Sequence, residues 1–341
     1  MVRASVLTLA LVAMSAQQQP PPRYVETVDV TSVLVDVRVL DDRGAPLLGL
    51  EQSDFQVSIG GKNVRVQSAA WVGGRPAPIE ASVDAAPAHV PGVQPRSGRL
   101  IVFLIERNLS KGYAYGLMRM LEQSRAVVRG LASDDRVAIL SFDTSLKIWT
   151  DFTNDSAVLD HILERGVLHE SPPLARGPLA PSFAGRLDSQ TARRASTMER
   201  AFELIGWALE PLPGAKTIAF ISHAMGRMNL IGTAPSAGYE KARSALIDAR
   251  ANVFSLDFTP ADSHALAFGL QRVAIETGGF YAQSLDFPER PMQWLDGAIA
   301  GYYVLFVDKP EGSTGRRDLS VALTRRQGRA YATATYSNSR Q

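Results

Sequence analysis

The chain has 341 residues, 45% hydrophobic content and no cysteine, so it is large enough for a sizeable core and about two domains, while disulfides, thiolate zinc sites and thiol catalysis are excluded. A formal net charge of +2, only six lysines among 36 basic residues and no basic stripe interleaved with aromatics argue against nucleic acid as a partner.

The N-terminus has the layout of a cleavable signal peptide over residues 1–16: Arg3, an apolar run from Ala4 to Met14, and the small residues Ala13, Ser15 and Ala16. The run is shorter than the ~20 residues a membrane span requires, so no span is expected after signal cleavage. Residues 17–23 are Gln/Pro-rich and read as a disordered leader. Residues 24–72 read as an N-terminal β module. Val28, Val30, Val33, Val35, Val37 and Val39 sit largely at period two, with a one-step slip after Val30 that suggests a bulge, and predict a strand with one buried face. Turn signals at Asp41-Asp42-Arg43-Gly44 and Gly60-Gly61-Lys62-Asn63 separate short strands, the pattern of an antiparallel sandwich. Residues 73–98, dense in Pro, Ala and Gly, read as an interdomain linker.

At Leu100 the pattern becomes alternating strand and helix. Leu100–Ile105 is an unbroken apolar run, the mark of a strand buried on both faces. Helices are predicted over 113–129, 156–164, 196–209, 238–251 and 265–277, and buried strands over 136–142, 217–221, 253–256 and 280–282. Residues 168–189, rich in Pro and Gly, read as loop. This alternation predicts an α/β fold over residues 99–293, a doubly wound, mainly parallel sheet. After Gln293 strand patterns return at 301–307, 318–323 and 330–336. These C-terminal strands, within 301–337, are expected to pack on the N-terminal module as one small antiparallel β-sandwich, with 301–307 and 318–323 in the same sheet as the long valine strand.

The order of these segments resembles that of bacterial, acidobacterial-type VWFA-related proteins, in which a von Willebrand factor A-type domain is flanked by β regions. The residues that carry the resemblance include Val33-Leu34-Val35-Asp36-Val37, Asp42-Arg43-Gly44, Asp54-Phe55, Asp135-Arg136-Val137-Ala138, Asp151-Phe152-Thr153, Pro211 to Thr217, Glu276-Thr277-Gly278-Gly279 and Gly301-Tyr302-Tyr303. The resemblance implies a metal-ion-dependent adhesion site for Mg²⁺ or Mn²⁺ at the carboxyl end of the sheet. Its Asp-x-Ser-x-Ser motif reads Glu106-Arg107-Asn108-Leu109-Ser110 here, its threonine corresponds to Thr191 or Thr197, and its last aspartate is replaced by His223.

The metal set thus reduces to Glu106, Asn108 and Ser110, a degenerate site with one carboxylate and two neutral oxygens. That is poor competition for hydrated Mg²⁺, and His223 adds a nitrogen that suits other metals better. No cofactor is expected, Mg²⁺ being the alternative. Open α/β sheets bind ligands outside the carboxyl ends of their strands, so Glu106, Arg107, Asn108, Ser110 and His223 form the expected binding face. No nucleophile elbow, zinc-protease helix or phosphate-cradling loop occurs. Ser222 and His223, adjacent on a strand, point to opposite faces and cannot act as nucleophile and base together. The expectation is an exported, secreted or periplasmic, non-enzymatic protein that binds a protein partner. A metal-dependent adhesion module and an uncharacterised hydrolase are the alternatives.

Overall fold

A computed structural model describes residues 32–73, 98–173, 181–229, 232–260, 264–310 and 315–337. The expected signal and leader, and all but the ends of the expected linker, lie outside the described residues.

In β1 (Ser32–Leu40) Val33, Val35, Val37 and Val39 are all buried and Leu34 is exposed, the period of two that the sequence carries. The short strands β2 (Phe55–Ile59), β3 (Lys62–Val64) and β4 (Val66–Gly73) follow. Then come β5 (Leu100–Glu106), α1 (Ala114–Arg129), β6 (Arg136–Phe142) and β7 (Leu146–Thr153). Next, α2 (Ser156–His161) runs through a π turn at Ile162–Gly166 into α3 (Val167–His169), before α4 (Ser189–Arg193), α5 (Met198–Leu209) and β8 (Lys216–Ser222). A small hairpin, β9 (Arg227–Asn229) and β10 (Gly232–Ala234), leads to α6 (Tyr239–Asp248), β11 (Ala251–Asp257), α7 (Ala267–Thr277), β12 (Tyr281–Gln283) and α8 (Glu289–Ala300). The chain closes with β13 (Gly301–Asp308), β14 (Arg316–Leu323), β15 (Arg329–Tyr331) and β16 (Thr335–Ser337).

The central sheet has the order β12-β11-β8-β5-β6-β7. All its neighbours are parallel except the edge strand β7. β5 divides its side chains between two cores. Leu100, Val102 and Leu104 join the core formed with α5, α6 and α7; Ile101, Phe103 and Ile105 join that formed with α1, α2, α3 and α8. Burying a side chain of this size contributes about 1.5–3 kcal/mol, so this one run fastens both helical layers. The fold is α/β and doubly wound, with antiparallel sheets added.

Those added sheets are four-stranded, β15-β1-β13-β4 and β16-β14-β2-β3. They enclose a third core built from Val33, Val35, Val37 and Val39, Phe55, Val57 and Ile59, and Tyr303, Leu305 and Val307. Each sheet takes strands from both ends of the chain, β1 pairing with β13 and β2 with β14.

Several expectations need correction. Residues 318–323 do not share a sheet with β1; they lie in β14, in the opposite sheet. The stretch 330–336 is two strands, because the chain leaves β1's sheet after Tyr331 and joins β14's at Thr335. β7 and α8 fall where the sequence reading assigns no element. In α8, Pro291 occupies the first turn, where a missing N–H costs little, and Gly297 is required because a Cβ there would lie 1.9 Å from the Gly44 carbonyl oxygen.

The second face of β1 is not left to solvent either. Arg38 lies on that face and is only 2% exposed. Its Nε donates to the Ala298 carbonyl at 3.1 Å, at the end of α8. Its Nη2 donates to Thr217 Oγ1 at 3.1 Å and its Nη1 to Asn252 Oδ1, both at the starts of central strands. The rings of Phe254 and Tyr302 lie 5.4 and 5.5 Å from its guanidinium carbon. Burial holds this guanidinium below its ordinary value, at about 10, still charged at neutral pH. Beside it Asp36 takes both arms of Arg250 at 2.7 Å each. One face of β1 thus builds the sandwich and the other docks the sandwich on the α/β sheet.

Arg38→Ala should therefore lower stability by ~3 kcal/mol or more, since it leaves a cavity and buried acceptors without donors. Arg38→Met, which keeps most of the volume, should cost about half as much. Urea unfolding of the full chain measures both.

Candidate functional site

β5 and β8 are parallel neighbours in the register Ile105 to Ile221, so the next residues, Glu106 and Ser222, leave the sheet side by side. Glu106 Oε2 accepts from the Ser222 hydroxyl and, at 3.2 Å, from the His223 amide. His223 Nδ1 lies 2.9 Å from the same oxygen but out of line for a hydrogen bond. On the other side of the ring His223 Nε2 meets Asn108 Nδ2 at 3.2 Å. Asn108 Oδ1 in turn accepts from Ser110 Oγ at 2.8 Å and Ser110 N at 3.0 Å. The Ser110 carbonyl receives the amides of Tyr113 and Ala114, where α1 begins.

The imidazole completes a cluster of three rings, with Tyr113 at 4.5 Å and Phe258 at 5.7 Å from it and 6.4 Å from each other between centroids. Thr259 Oγ1 fixes the His223 carbonyl at 3.0 Å. Glu106, Asn108, Ser110 and His223 thus come together as one connected chain. Arg107 does not join them. Its Nη2 donates to the Leu168 carbonyl at 3.1 Å and its Nη1 lies 3.7 Å from Asp143, on the β6 side of β5.

The donor set does not fit Mg²⁺, which takes oxygen ligands in near-octahedral geometry at ~2.0–2.1 Å. The site offers one carboxylate, and one of its oxygens already has three partners. Asn108's single oxygen is occupied by Ser110. Among the described residues no group of three or more His, Cys, Asp or Glu side chains could hold a metal. Thr197 Oγ1 is used as the N-cap of α5, accepting from Arg200 N at 3.2 Å. Thr191 lies in α4, its amide bonded to Asp188.

A second polar cluster escapes the sequence reading. Asp257 ends β11 fully buried. Its Oδ2 accepts from Tyr281 Oη and faces His264 Nε2, both at 2.7 Å, and its Oδ1 accepts from Thr259 N at 2.8 Å. Burial first, then the bond to Asp257, pushes the Tyr281 hydroxyl above the ordinary phenol range. The readable signal is an aspartate closing an apolar strand with a threonine two residues on, the spacing of an Asx turn. Among the described residues no nucleophile is bonded to His264. Ser222 gives its hydroxyl to Glu106 rather than to His223.

No family model matches this chain, and no curated protein sequence matches it. Its structure is similar to that of human COPII-coat protein Sec24c, at 11% identity and a TM-score of 0.42 over 70% of this chain and 43% of that one. It is also similar to a von Willebrand factor type A structure from Catenulispora acidiphila, at 11% identity and a TM-score of 0.43 over 84% and 72% of the two chains. A third similar structure is BatB from Bacteroides thetaiotaomicron, at 15% identity and a TM-score of 0.40 over 59% and 98%. This chain spans less than half the length of Sec24c. These likenesses are loose, and the fold rests on the strand order and register described above.

If Glu106 is the acceptor that closes the chain, Glu106→Ala should cost ~1–3 kcal/mol, because the Ser222 hydroxyl and the His223 amide are left without it. Ser110→Ala, at an exposed position, should stay within about 0.5 kcal/mol of wild type. Guanidinium unfolding distinguishes the two.

Proposed function

We propose that this chain is an exported, non-enzymatic interaction module whose strand-carboxyl face binds a protein partner without a metal ion. Glu106, Asn108, Ser110 and His223 form the floor of that face, and Arg107 borders it. One observation carries the reading. The single carboxylate at the crevice is already met by a hydroxyl, an amide and an imidazole from its own chain. A cation would have to displace those partners, and the next carboxylate, Asp257 in register with Ser222 on β11, is itself tied to Thr259, Tyr281 and His264. The crevice is therefore a polar surface whose carboxylate is already engaged by its own chain, suited to recognition by shape and hydrogen bonding.

Catalysis lacks its parts. The Ser222 hydroxyl is bonded to the Glu106 carboxylate and not to an imidazole, and the two histidines nearest the strand ends lie against Glu106 and Asp257. Export to the periplasm or beyond follows from the signal-like residues 1–16. Among the described residues no helix is long and apolar enough to cross a membrane.

Thermal melting with and without millimolar Mg²⁺ tests the metal-free reading. A ligand at a hundred times its Kd adds ~2.7 kcal/mol of stability; wild type should show no such shift. The combined variant Glu106→Asp, Asn108→Ser and His223→Asp, which restores the adhesion-site residues, should gain one. A clear Mg²⁺ shift in wild type that Ser110→Ala removes would instead establish metal-dependent adhesion through Mg²⁺ or Mn²⁺.

A further inference from the structure

Every connection that follows a parallel strand of an open α/β sheet opens on the same edge of the sheet. Among the described residues ten large apolar side chains stand exposed, and six of them lie on those connections or in the first two turns of the helices that follow. Leu109, Tyr115 and Met118 come after β5, Met228 after β8, Phe268 after β11 and Phe287 after β12. Phe287 at 77% and Met228 at 68% are the most exposed of all ten. Scattered exposed apolar residues need no explanation, but a ring of them around a polar crevice marks an interaction surface.

Contacts between the elements join the segments that carry these side chains in two groups. Arg119 of α1 donates to the Asp286 carbonyl at 3.4 Å and pairs with Glu289 at 3.0 Å. A Cβ on Gly116 would lie 2.6 Å from Leu285 Cδ1, so α1 packs directly on the segment that carries Phe287. On the opposite side a Cβ on Gly269 would lie 2.1 Å from the Met225 carbonyl, so the start of α7 packs directly on the loop leading to Met228. Between the groups Tyr113 lies against His223.

Among the described residues the unpaired charge at this edge is mainly positive. Glu106 is matched by Ser222 and His223, Asp143 by Lys147, and Asp257 by His264 and Tyr281. Lys111, in the connection after β5, and Arg227, in that after β8, pair with no carboxylate among the described residues. Against these two cations stands the exposed Asp286 beside Phe287.

We infer that the ring takes an acidic, apolar segment of a protein partner: aromatic or aliphatic anchors seat among Tyr115, Met118, Phe268 and Phe287, and carboxylates face Lys111 and Arg227. Apolar anchors would supply most of the affinity and the charges the orientation and rate of encounter. This rests on the reading of the same face as a partner site and adds the partner's chemistry.

Selection of random displayed peptides on the full chain tests it, followed by anisotropy titration of a selected peptide and mapping by hydrogen exchange. Selected peptides should couple Asp or Glu to Phe, Leu or Trp, protect the segment from Leu109 to Met118, and bind more weakly as salt rises. Phe287→Ser should weaken binding about tenfold or more, and Lys111→Glu with Arg227→Glu should weaken it further. Both variants change exposed or half-exposed side chains, and their unfolding curves should match wild type. Protection of Leu109 to Met118 with binding indifferent to the charge reversal, or peptides rich in Lys and Arg, would overturn the acidic chemistry and leave the face as a partner site. Protection confined to another surface, such as β4, would overturn the partner-site reading as well. Binding to phosphatidylglycerol vesicles, or self-association, lost in Phe287→Ser would assign the ring to a lipid surface or to a second copy and overturn the inference.

Discussion

Six apolar residues in succession at the centre of a sheet leave the first polar side chain of the strand to settle its hydrogen bonds at the sheet's edge. Leu100–Ile105 is buried on both faces, three side chains to each helical layer. Glu106 follows at the crevice, where the register with β8 sets it beside Ser222. A half-buried carboxylate must be solvated, paired or hydrogen-bonded. Here the chain itself does this, with a hydroxyl, an amide and an imidazole. The order that results passes through His223 to Asn108 and Ser110 and so to the start of α1. The geometry of the whole strand-carboxyl face thus depends on how one carboxylate is satisfied.

The opposite edge of the sheet is governed by charge of the other sign. Arg38 reaches from β1 to neutral acceptors on β8, β11 and α8, and Asp36 holds Arg250 beside it. A buried guanidinium without a carboxylate bonded to it survives only if its donors are used. Its partners belong to three separate elements, so the arrangement fixes the sandwich against the α/β body. Strands from both ends of the chain close that sandwich. Order at the amino edge and recognition at the carboxyl edge are therefore separate problems, solved at opposite ends of the same strands.

Much of this was legible in the residues. The run Leu100–Ile105 identified the central strand without ambiguity, and alternating valines identified β1. Glu106, Asn108, Ser110 and His223 were readable as a group, because side chains leaving adjacent strand ends must converge. Their bonding was not readable, since it depends on a register between strands more than a hundred residues apart. Arg107 shows the same limit: its place in the motif suggested the face, but its guanidinium goes to Leu168. Arg38 was hidden for another reason. Alternation assigned it to the outer face of β1, and nothing local says that another layer covers that face. Proline and glycine within Glu289–Ala300 concealed α8, although Pro291 sits where a helix tolerates it and Gly297 where the Gly44 carbonyl demands it. In the C-terminal segment strand character was readable, whereas the choice of sheet was made by tertiary packing.

Mn²⁺ probes the internal satisfaction of Glu106, because a bound paramagnetic ion broadens nearby amide resonances selectively. In spectra of the wild-type chain titrated with Mn²⁺, the Arg107, Ser110 and His223 amides should show no selective broadening relative to the rest of the protein. Selective loss of those resonances at low Mn²⁺, reversed by Mg²⁺, would contradict this and show that the carboxylate is open to a metal after all.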